Sequence, residues 1–323
     1  MIGIILRQRY KIIKPLGSGG FGETYLAEDF ITLPINPKPQ RIVKRLKPNR
    51  IDDPTLRRFR QEAAMLYKLG NNHDQIPKLY DYFEENREFY LVQEFIDGHD
   101  LTYEITDGKQ WSETEVIQLL QEVLEILAFV HQRGVIHRDI KPSNLMRRYS
   151  DGKLVLIDFG IVKELSLQGV HDQRQISSTM PIGTRGYMPT EQFEGHPKLC
   201  SDVYAVGMMA IRALTGVSTQ QLSKDPNTLE VVWRDRAQVS DALADILDQM
   251  VQHNFRQRYQ SATEALQALT ELGKLSKPVK IGSKYGYTQR TGRSSRFSLI
   301  WLIHFPKHWY WLRLVTRRDI LPK

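Results

Sequence analysis

The stretch Val135–Gly160, VIHRDIKPSNLMRRYSDGKLVLIDFG, gathers acidic, amide and basic side chains at short spacings. Asp139 is followed two residues later by Lys141 and five residues later by Asn144, and Asp158 lies near the end. A Ser-Asp-Gly turn signal separates the two halves, so the stretch predicts a loop, a hairpin and a second acidic loop. Oxygen ligands beside cationic groups indicate a site that handles phosphate and metal ions.

Length and composition permit a sizeable folded body. The chain has 323 residues, of which 41% are hydrophobic and 25% charged, enough for one large core or two smaller ones. The single cysteine, Cys200, excludes an internal disulfide and fits a reducing compartment, so we expect a cytoplasmic protein. The N-terminal run MIGIILRQRYKII lacks the pattern of a secretory signal and is predicted to be a first strand.

The net charge of +8 is distributed unevenly. Residues 274–323 contain twelve Lys or Arg and one acid, which leaves 33 basic against 36 acidic groups in residues 1–273. A nucleic-acid-binding body would be basic throughout, so no specific nucleic-acid binding is expected. The distribution instead predicts a slightly acidic domain with a basic appendage.

The order of predicted elements is strands with one helix, a short hinge at Asp97-Gly98, and then mostly helices. Residues 10–30 predict two strands around a glycine-rich turn, and further strands are predicted at 41–46, 76–85 and 87–96. Helices are predicted at 54–69, Ser112–Arg133, Ser201–Thr215, Ser240–Val251 and Ser261–Leu272, and Ser112 with Glu115 forms a capping-box pattern. This order predicts an α+β protein of two lobes with a cleft between them.

The glycine-rich turn, GSGGFG at Gly17–Gly22, has the spacing G-x-G-x-x-G. Glycines let a backbone approach phosphate groups closely and direct N–H groups at them. The same string opens dinucleotide-binding folds, where it leads into a helix, and it also occurs as an ordinary glycine turn. Here the next residues, Glu23–Leu26, have strand character, which favours a hairpin flap over the dinucleotide alternative.

Lys44 lies in a short apolar strand, and Glu62 lies in the helix that follows. Each has an ordinary alternative, since an edge-strand lysine and a helix glutamate are both commonly solvated. Together they have the arrangement of an ion pair that holds a lysine on the phosphates of ATP.

With these motifs in order, the chain resembles the eukaryotic-like serine/threonine protein kinases of bacteria, from about Tyr10 to Leu272. The resemblance implies a two-lobed kinase-like fold with a small β-rich N-lobe (10–96) and a larger, mainly helical C-lobe (97–272). A basic, aromatic-rich tail (273–323) follows. It also implies a phosphotransferase that uses ATP and Mg²⁺, or Mn²⁺ in its place, acts on Ser or Thr of proteins including itself, and serves signal transduction.

The resemblance assigns roles to individual residues. Asp139 orients the acceptor hydroxyl and accepts its proton, Asn144 and Asp158 bind the metal, and Glu62 holds Lys44 on the α and β phosphates. Lys141 contacts the transferred phosphate and, like Thr184 beside the catalytic aspartate, marks a Ser/Thr acceptor over Tyr. The implied nucleotide-contacting residues are Leu16, Gly17, Ser18, Gly19, Gly20, Phe21, Gly22, Thr24, Ile42, Lys44, Gln93, Glu94, Ile96, Asp100 and Met146.

Within that set, Gln93 is the implied gatekeeper, the backbone groups of Glu94 and Ile96 contact adenine, and Asp100 bonds the ribose. Arg138, before the catalytic aspartate, matches an arginine that pairs with a phosphate on the activation segment Asp158–Glu191. The candidate acceptors in that segment are Ser177, Ser178 and Thr179, and the alternative is a polar loop that is never phosphorylated.

Three positions or motifs differ from the family pattern, and others match it. Thr24 replaces a valine over the adenine, and Ile42 replaces an alanine and could narrow the adenine pocket. Pro189-Thr190-Glu191 replaces Ala-Pro-Glu, while Glu191 and its usual ion-pair partner Arg258 are present. Asp202 matches the buried helix aspartate that supports the catalytic loop. No catalytic group is lost.

Alternatives remain open at this point. A nucleotide-binding pseudokinase or membrane-docked scaffold without transfer activity would keep most of these motifs, and a small-molecule phosphotransferase of related fold is a third class. The tail segment 297–315 is too interrupted for a confident membrane-spanning helix, but its tryptophans and basic flanks suit an interfacial anchor on an anionic membrane. The alternative is a tail that packs on the kinase domain.

Overall fold

The computed structural model describes residues 1–18, 22–30, 37–46, 53–159 and 184–275. The side chains of residues 53–59, 61, 62 and 275 are outside that description. The strands are β1 (Ile5–Leu6), β2 (Tyr10–Ser18), β3 (Gly22–Asp29), β4 (Gln40–Leu46), β5 (Leu79–Glu85), β6 (Glu88–Glu94), β7 (Gly98–Asp100), β8 (Leu145–Arg148) and β9 (Leu154–Leu156). The helices are α1 (Asp53–Gly70), α2 (Glu113–His131), α3 (Thr190–Phe193), α4 (Leu199–Thr215), α5 (Asp241–Val251) and α6 (Ala262–Leu275).

The N-terminal part is an antiparallel sheet of six described strands in the order β1-β2-β3-β4-β6-β5, with α1 against it. Alternate residues of β2, β3, β4 and β6 enclose a small core that includes Tyr10, Val43 and Tyr90. The apolar face predicted for α1 is buried at Ala63, Leu66 and Leu69. The predicted β-rich lobe with one helix is therefore confirmed.

One local prediction is wrong. The N-terminal run is not a single strand, because the chain reverses at Arg7 and Gln8, whose φ angles are 47° and 55°. Positive φ at both central residues defines the tight hairpin turn that matches the twist of paired strands. As a result, Ile5 pairs with Lys11, and the run divides into β1 and the start of β2.

The C-terminal part is mainly helical and encloses the larger core, in which α2, α4, α5 and α6 pack together. The predicted capping box at Ser112 and Glu115 is present at the start of α2. Gly207 lets α4 lie close to α5, since a Cβ there would come within 2.7 Å of Val251 and 2.9 Å of Met250. A small sheet, β7-β8-β9, lies in this part and carries the hairpin predicted from the opening stretch.

None of the helices in these described ranges is long and apolar enough to cross a membrane.

Candidate active site

The centre of the site is the carboxylate of Asp139, which three side chains hold. Thr184 Oγ1 donates a hydrogen bond of 3.0 Å to Asp139 Oδ1, and Lys141 Nζ lies 2.7 Å from Oδ2. Asn144 Nδ2 donates to both the backbone oxygen (2.7 Å) and Oδ2 (3.0 Å) of Asp139. The Lys141 ammonium also donates to Thr184 Oγ1 at 2.8 Å. These contacts fix one rotamer of a carboxylate whose side chain is still 23% exposed, so a substrate hydroxyl can reach it.

The backbone of this loop is supported from beneath by Asp202 on α4. Its carboxylate, 1% exposed, accepts hydrogen bonds of 2.8 Å from the backbone N–H groups of both His137 and Arg138. A third bond of 3.1 Å comes from His131 Nε2. Burial alone would raise the pKa of Asp202, but these bonds and the neighbouring imidazoles hold that pKa below its ordinary value. The aspartate therefore stays ionised and holds the strained loop, in which Arg138 has φ 70°.

The two histidines next to Asp202 have defined tautomers. His131 Nδ1 accepts a hydrogen bond from the backbone N–H of Ala262, so Nε2 carries the proton donated to Asp202. His137 Nδ1 accepts from the backbone N–H of Asp139, and its Nε2 donates to the carbonyl of Ile157 at 3.1 Å. Complete burial lowers the pKa of His137, which keeps this ring neutral. His137 thus ties the loop that carries Asp139 to the segment that carries Asp158.

Lys44 and Asp158 meet across the cleft. The Lys44 ammonium forms an ion pair with Asp158 Oδ1. The charge of Lys44 holds the pKa of Asp158 below its ordinary value. Asp158 has φ 62°, and the next residue, Phe159, is fully buried against the His137 ring at 4.8 Å. The buried ring anchors the segment and leaves the Asp158 carboxylate facing the cleft, 49% exposed.

Cross-strand register gathers several predicted nucleotide-contacting residues. Thr24 on β3 lies opposite Lys44 on β4, and Ile42 lies opposite Gln93 on β6. Because side chains alternate along a strand and paired residues share a face, these four project from one face of the sheet. Gln93 is 5% exposed, and its Nε2 has no hydrogen-bond partner among the described residues.

The other predicted nucleotide-contacting residues divide into several cases. Leu16 lies in an irregularity of β2 and is 47% exposed. Gly17 has no described atom near the place of a Cβ, but Gly22 needs to be glycine for packing, since a Cβ would come within 2.3 Å of the Arg45 carbonyl oxygen. Asp100 pairs with Met146 between β7 and β8.

Asp100 Oδ1 also accepts a 2.8 Å bond from the N–H of Thr102. Ser18 is exposed, Glu94 is half-buried and Ile96 is buried. The remaining predicted residues lie outside the described residues: Gly19, Gly20, Phe21, the side chain of Glu62, and Ser177, Ser178 and Thr179.

One further supporting contact was expected and is present. Glu191 and Arg258 form a buried ion pair at 2.7 Å, with Ser201 Oγ donating to the same carboxylate oxygen at 2.7 Å. Gln192 Nε2, which the sequence analysis missed, donates at 2.6 Å to the carbonyl of Arg138. His131 was missed as well. Neither has a local signal, since their partners are 54 and 71 residues away along the chain.

The oxygen atoms that Asn144 and Asp158 present fit a metal ion whose other ligands are phosphate oxygens. The Asn144 amide uses Nδ2 on Asp139, so its Oδ1 is the acceptor left for a cation, and Asp158 supplies a carboxylate. Hard oxygen ligands of this kind suit Mg²⁺, which takes few protein ligands when phosphates complete its coordination. Accordingly, the described residues contain no cluster of three His, Cys, Asp or Glu side chains that could hold a metal alone.

Comparison with known proteins agrees with this geometry. A family model described as the protein kinase domain matches residues 10–269. The chain is 44% identical over 297 residues to serine/threonine-protein kinase C of Synechocystis, covering 90% of this chain and 54% of that protein. It is 43% identical over 279 residues to serine/threonine-protein kinase PknA of Nostoc, covering 85% of this chain and 49% of that protein. With PrkC of Bacillus subtilis, a serine/threonine-protein kinase, identity is 31% over 218 residues, 67% of this chain and 32% of that protein. The chain thus spans about half the length of the two cyanobacterial relatives.

Proposed function

Because the chain belongs to the protein kinase family, we propose that it transfers the γ-phosphate of ATP to serine and threonine hydroxyl groups of proteins, its own included. The observation that carries this proposal is the set of contacts on Asp139. Lys141, Asn144 and Thr184 hold one carboxylate in place while leaving it open to a substrate. The domain that does this is proposed to span residues 10–272, with lobes 10–96 and 97–272.

The family uses ATP with a divalent metal, generally Mg²⁺. In this chain we propose Asn144 and Asp158 as the metal ligands, with Mn²⁺ as a substitute for Mg²⁺. When bound, the metal neutralises phosphate oxygens and aligns them. Lys44 adds a fixed positive charge for the same phosphates. Its present pairing with Asp158 keeps the ammonium at the cleft, next to the metal ligand.

The protein groups have separable tasks. Asp139 accepts a hydrogen bond from the incoming hydroxyl and takes its proton as the hydroxyl oxygen bonds the γ-phosphorus, whose bond to the bridging oxygen breaks and releases ADP. Lys141 lies between this carboxylate and Thr184, so a cation is present where negative charge develops on the transferred group. Little covalent help is needed for such a transfer, and in-line positioning supplies most of the acceleration. Gln93 and the backbone of Glu94 and Ile96 are proposed to line the adenine site, with Asp100 at the ribose.

A nucleotide-binding scaffold without transfer activity is the alternative. It would need Lys44 and Asp158 to hold nucleotide, but it would have no use for the contacts of Lys141 and Thr184 with Asp139. The geometry therefore favours the enzyme. A signalling role in the cytoplasm follows as part of the proposal, in keeping with the unpaired Cys200. Contact of the 273–323 tail with an anionic membrane stays a prediction, since those residues, apart from 273–275, are outside the described ones.

The test is incubation of the full chain with labelled ATP and Mg²⁺, comparing wild type with Asp139→Ala, followed by mapping of phosphorylated residues. We expect label on the chain itself and on a generic protein substrate, at Ser or Thr, and loss of both in the variant. Asp235→Asn, at an exposed position, is the matched control and is expected to label normally. Nucleotide binding without any transferred label in the wild type would overturn the proposal in favour of the scaffold.

A further inference from the structure

We propose that Arg212 is a specificity-determining residue of the acceptor site, where its guanidinium selects protein substrates that carry an acidic residue near the phosphorylated Ser or Thr. The inference rests on the proposed function. It starts from the chain segment Thr184–Tyr187, whose first residue contacts Asp139 and whose last contacts Arg212.

The position of Arg212 follows from three linked contacts. Thr184 Oγ1 is 3.0 Å from Asp139 Oδ1, and a turn brings the N–H of Tyr187 within 3.1 Å of the Thr184 carbonyl. The Tyr187 hydroxyl then accepts a 2.8 Å hydrogen bond from Arg212 Nη1. A turn and one tyrosine side chain span on the order of 10–15 Å. An extended peptide advances about 3.3 Å per residue, so Arg212 lies within reach of side chains about two to four positions from the acceptor.

The Arg212 guanidinium has unused hydrogen-bonding capacity. Of its five N–H donors, one on Nη1 bonds Tyr187 and one on Nη2 bonds Asp107, and among the residues that the structure describes the second N–H of each Nη and the buried Nε have no recorded partner. The Asp107 contact is 3.1 Å, and the Asp107 side chain is 69% exposed. A carboxylate that exposed is a weak, exchangeable partner. An acidic side chain of a bound substrate can therefore compete with Asp107 for the same cation.

Besides Asp107, two further exposed charges in the described chain near this segment are positive. Arg185 is exposed and lies between Thr184 and Tyr187 in the chain. Lys109 is exposed two residues after Asp107, where its backbone packs beside Gly216 at the end of α4. Among the described residues, Arg185 and Arg212 thus place two cations at the acceptor segment, which disfavours a basic peptide there.

A purely structural role is the alternative. Arg212 lies in the last turn of α4, where a cation interacts favourably with the helix dipole. That role would explain the charge but not the bond to the acceptor segment. It also predicts a different outcome, since substitution would change the phosphorylation of every substrate by the same factor.

The test uses the full chain and three matched peptides, each with one Thr acceptor. The positions two to four residues before and after this Thr are Glu in the first peptide, Gln in the second and Lys in the third. For the wild type, kcat/KM should be at least about fivefold higher for the Glu peptide than for the Lys peptide. Arg212→Gln should remove the preference, and Arg212→Glu should reverse it in favour of the Lys peptide. Asp107→Asn should strengthen the preference for Glu, because the competing carboxylate is gone.

Equal use of the three peptides by the wild type would overturn the inference, as would an Arg212→Glu variant that slows all three by one factor. If the Arg212 variants fail to fold, the exposed substitution Asp107→Asn provides the test. A ratio of kcat/KM for the Glu peptide to that for the Lys peptide that equals the wild-type ratio would overturn the role of Arg212. Failure of the proposed function looks different, since the wild type would then transfer phosphate neither to any peptide nor to itself.

Discussion

Replacing Asp202 by asparagine is expected to destabilise the protein and to slow phosphoryl transfer, although asparagine has nearly the same shape. The carboxylate accepts three hydrogen bonds, from the N–H groups of His137 and Arg138 and from His131 Nε2. All three partners are donors, because His131 Nδ1 is already occupied as an acceptor by the N–H of Ala262. An asparagine amide must therefore turn its NH₂ group towards at least one N–H donor.

The size of the effect can be worked from these contacts. One buried donor left unpaired costs about 1–3 kcal/mol, and the remaining bonds lose the strength that a charged acceptor provides. We expect the free energy of unfolding to fall by about 2–4 kcal/mol. With a urea m-value of about 3 kcal/mol/M, this corresponds to a midpoint lower by about 1 M. Because the loop that carries Asp139 loses its support, kcat should fall even under conditions where the variant is fully folded.

The first assay is urea unfolding monitored by tryptophan fluorescence. The second is peptide phosphorylation without urea, at a temperature where both proteins are folded. Asp235→Asn, an exposed substitution of the same chemistry, is the control and should leave the free energy of unfolding unchanged within about 0.5 kcal/mol. If Asp202→Asn shifts the midpoint no more than this control does, the three bonds do not support the loop as argued.

Three further predictions follow from other contacts. Thr184→Val should lower kcat about tenfold, measured by peptide phosphorylation, because Asp139 loses a donor, whereas Thr184→Ser should keep most activity. Arg258→Met should lower the free energy of unfolding by about 3–5 kcal/mol in urea unfolding, since the buried Glu191 carboxylate keeps the Ser201 hydroxyl but loses its counter-charge, and adding Glu191→Gln should recover part of the loss. Burial lowers the pKa of His137, so below pH 6.5 the unfolded state binds a proton that the folded state does not. Stability should fall from pH 7 to pH 5, with a smaller slope in His137→Gln; equal slopes would contradict this.

The elements of the fold were largely predictable because their signals are local. Short runs bounded by turn residues, the glycine-rich turn among them, predicted strands of the N-terminal sheet, and a Ser-x-x-Glu pattern predicted the start of α2. The failure at Arg7 and Gln8 has a physical reason. Neither residue is glycine or asparagine, the residues that most often adopt positive φ. The sequence therefore gives no indication of the turn.

The groups of the proposed catalytic site were also visible in the sequence, because Asp139, Lys141 and Asn144 lie within one short loop and need only that loop to come together. Tertiary structure alone decided the rest. Asp202 gathers His131, His137 and Arg138, and Arg212 meets Tyr187, through contacts between residues 25 to 71 positions apart. Local spacing determines which groups a loop can offer, whereas the packing of α4 beneath that loop determines how those groups are held.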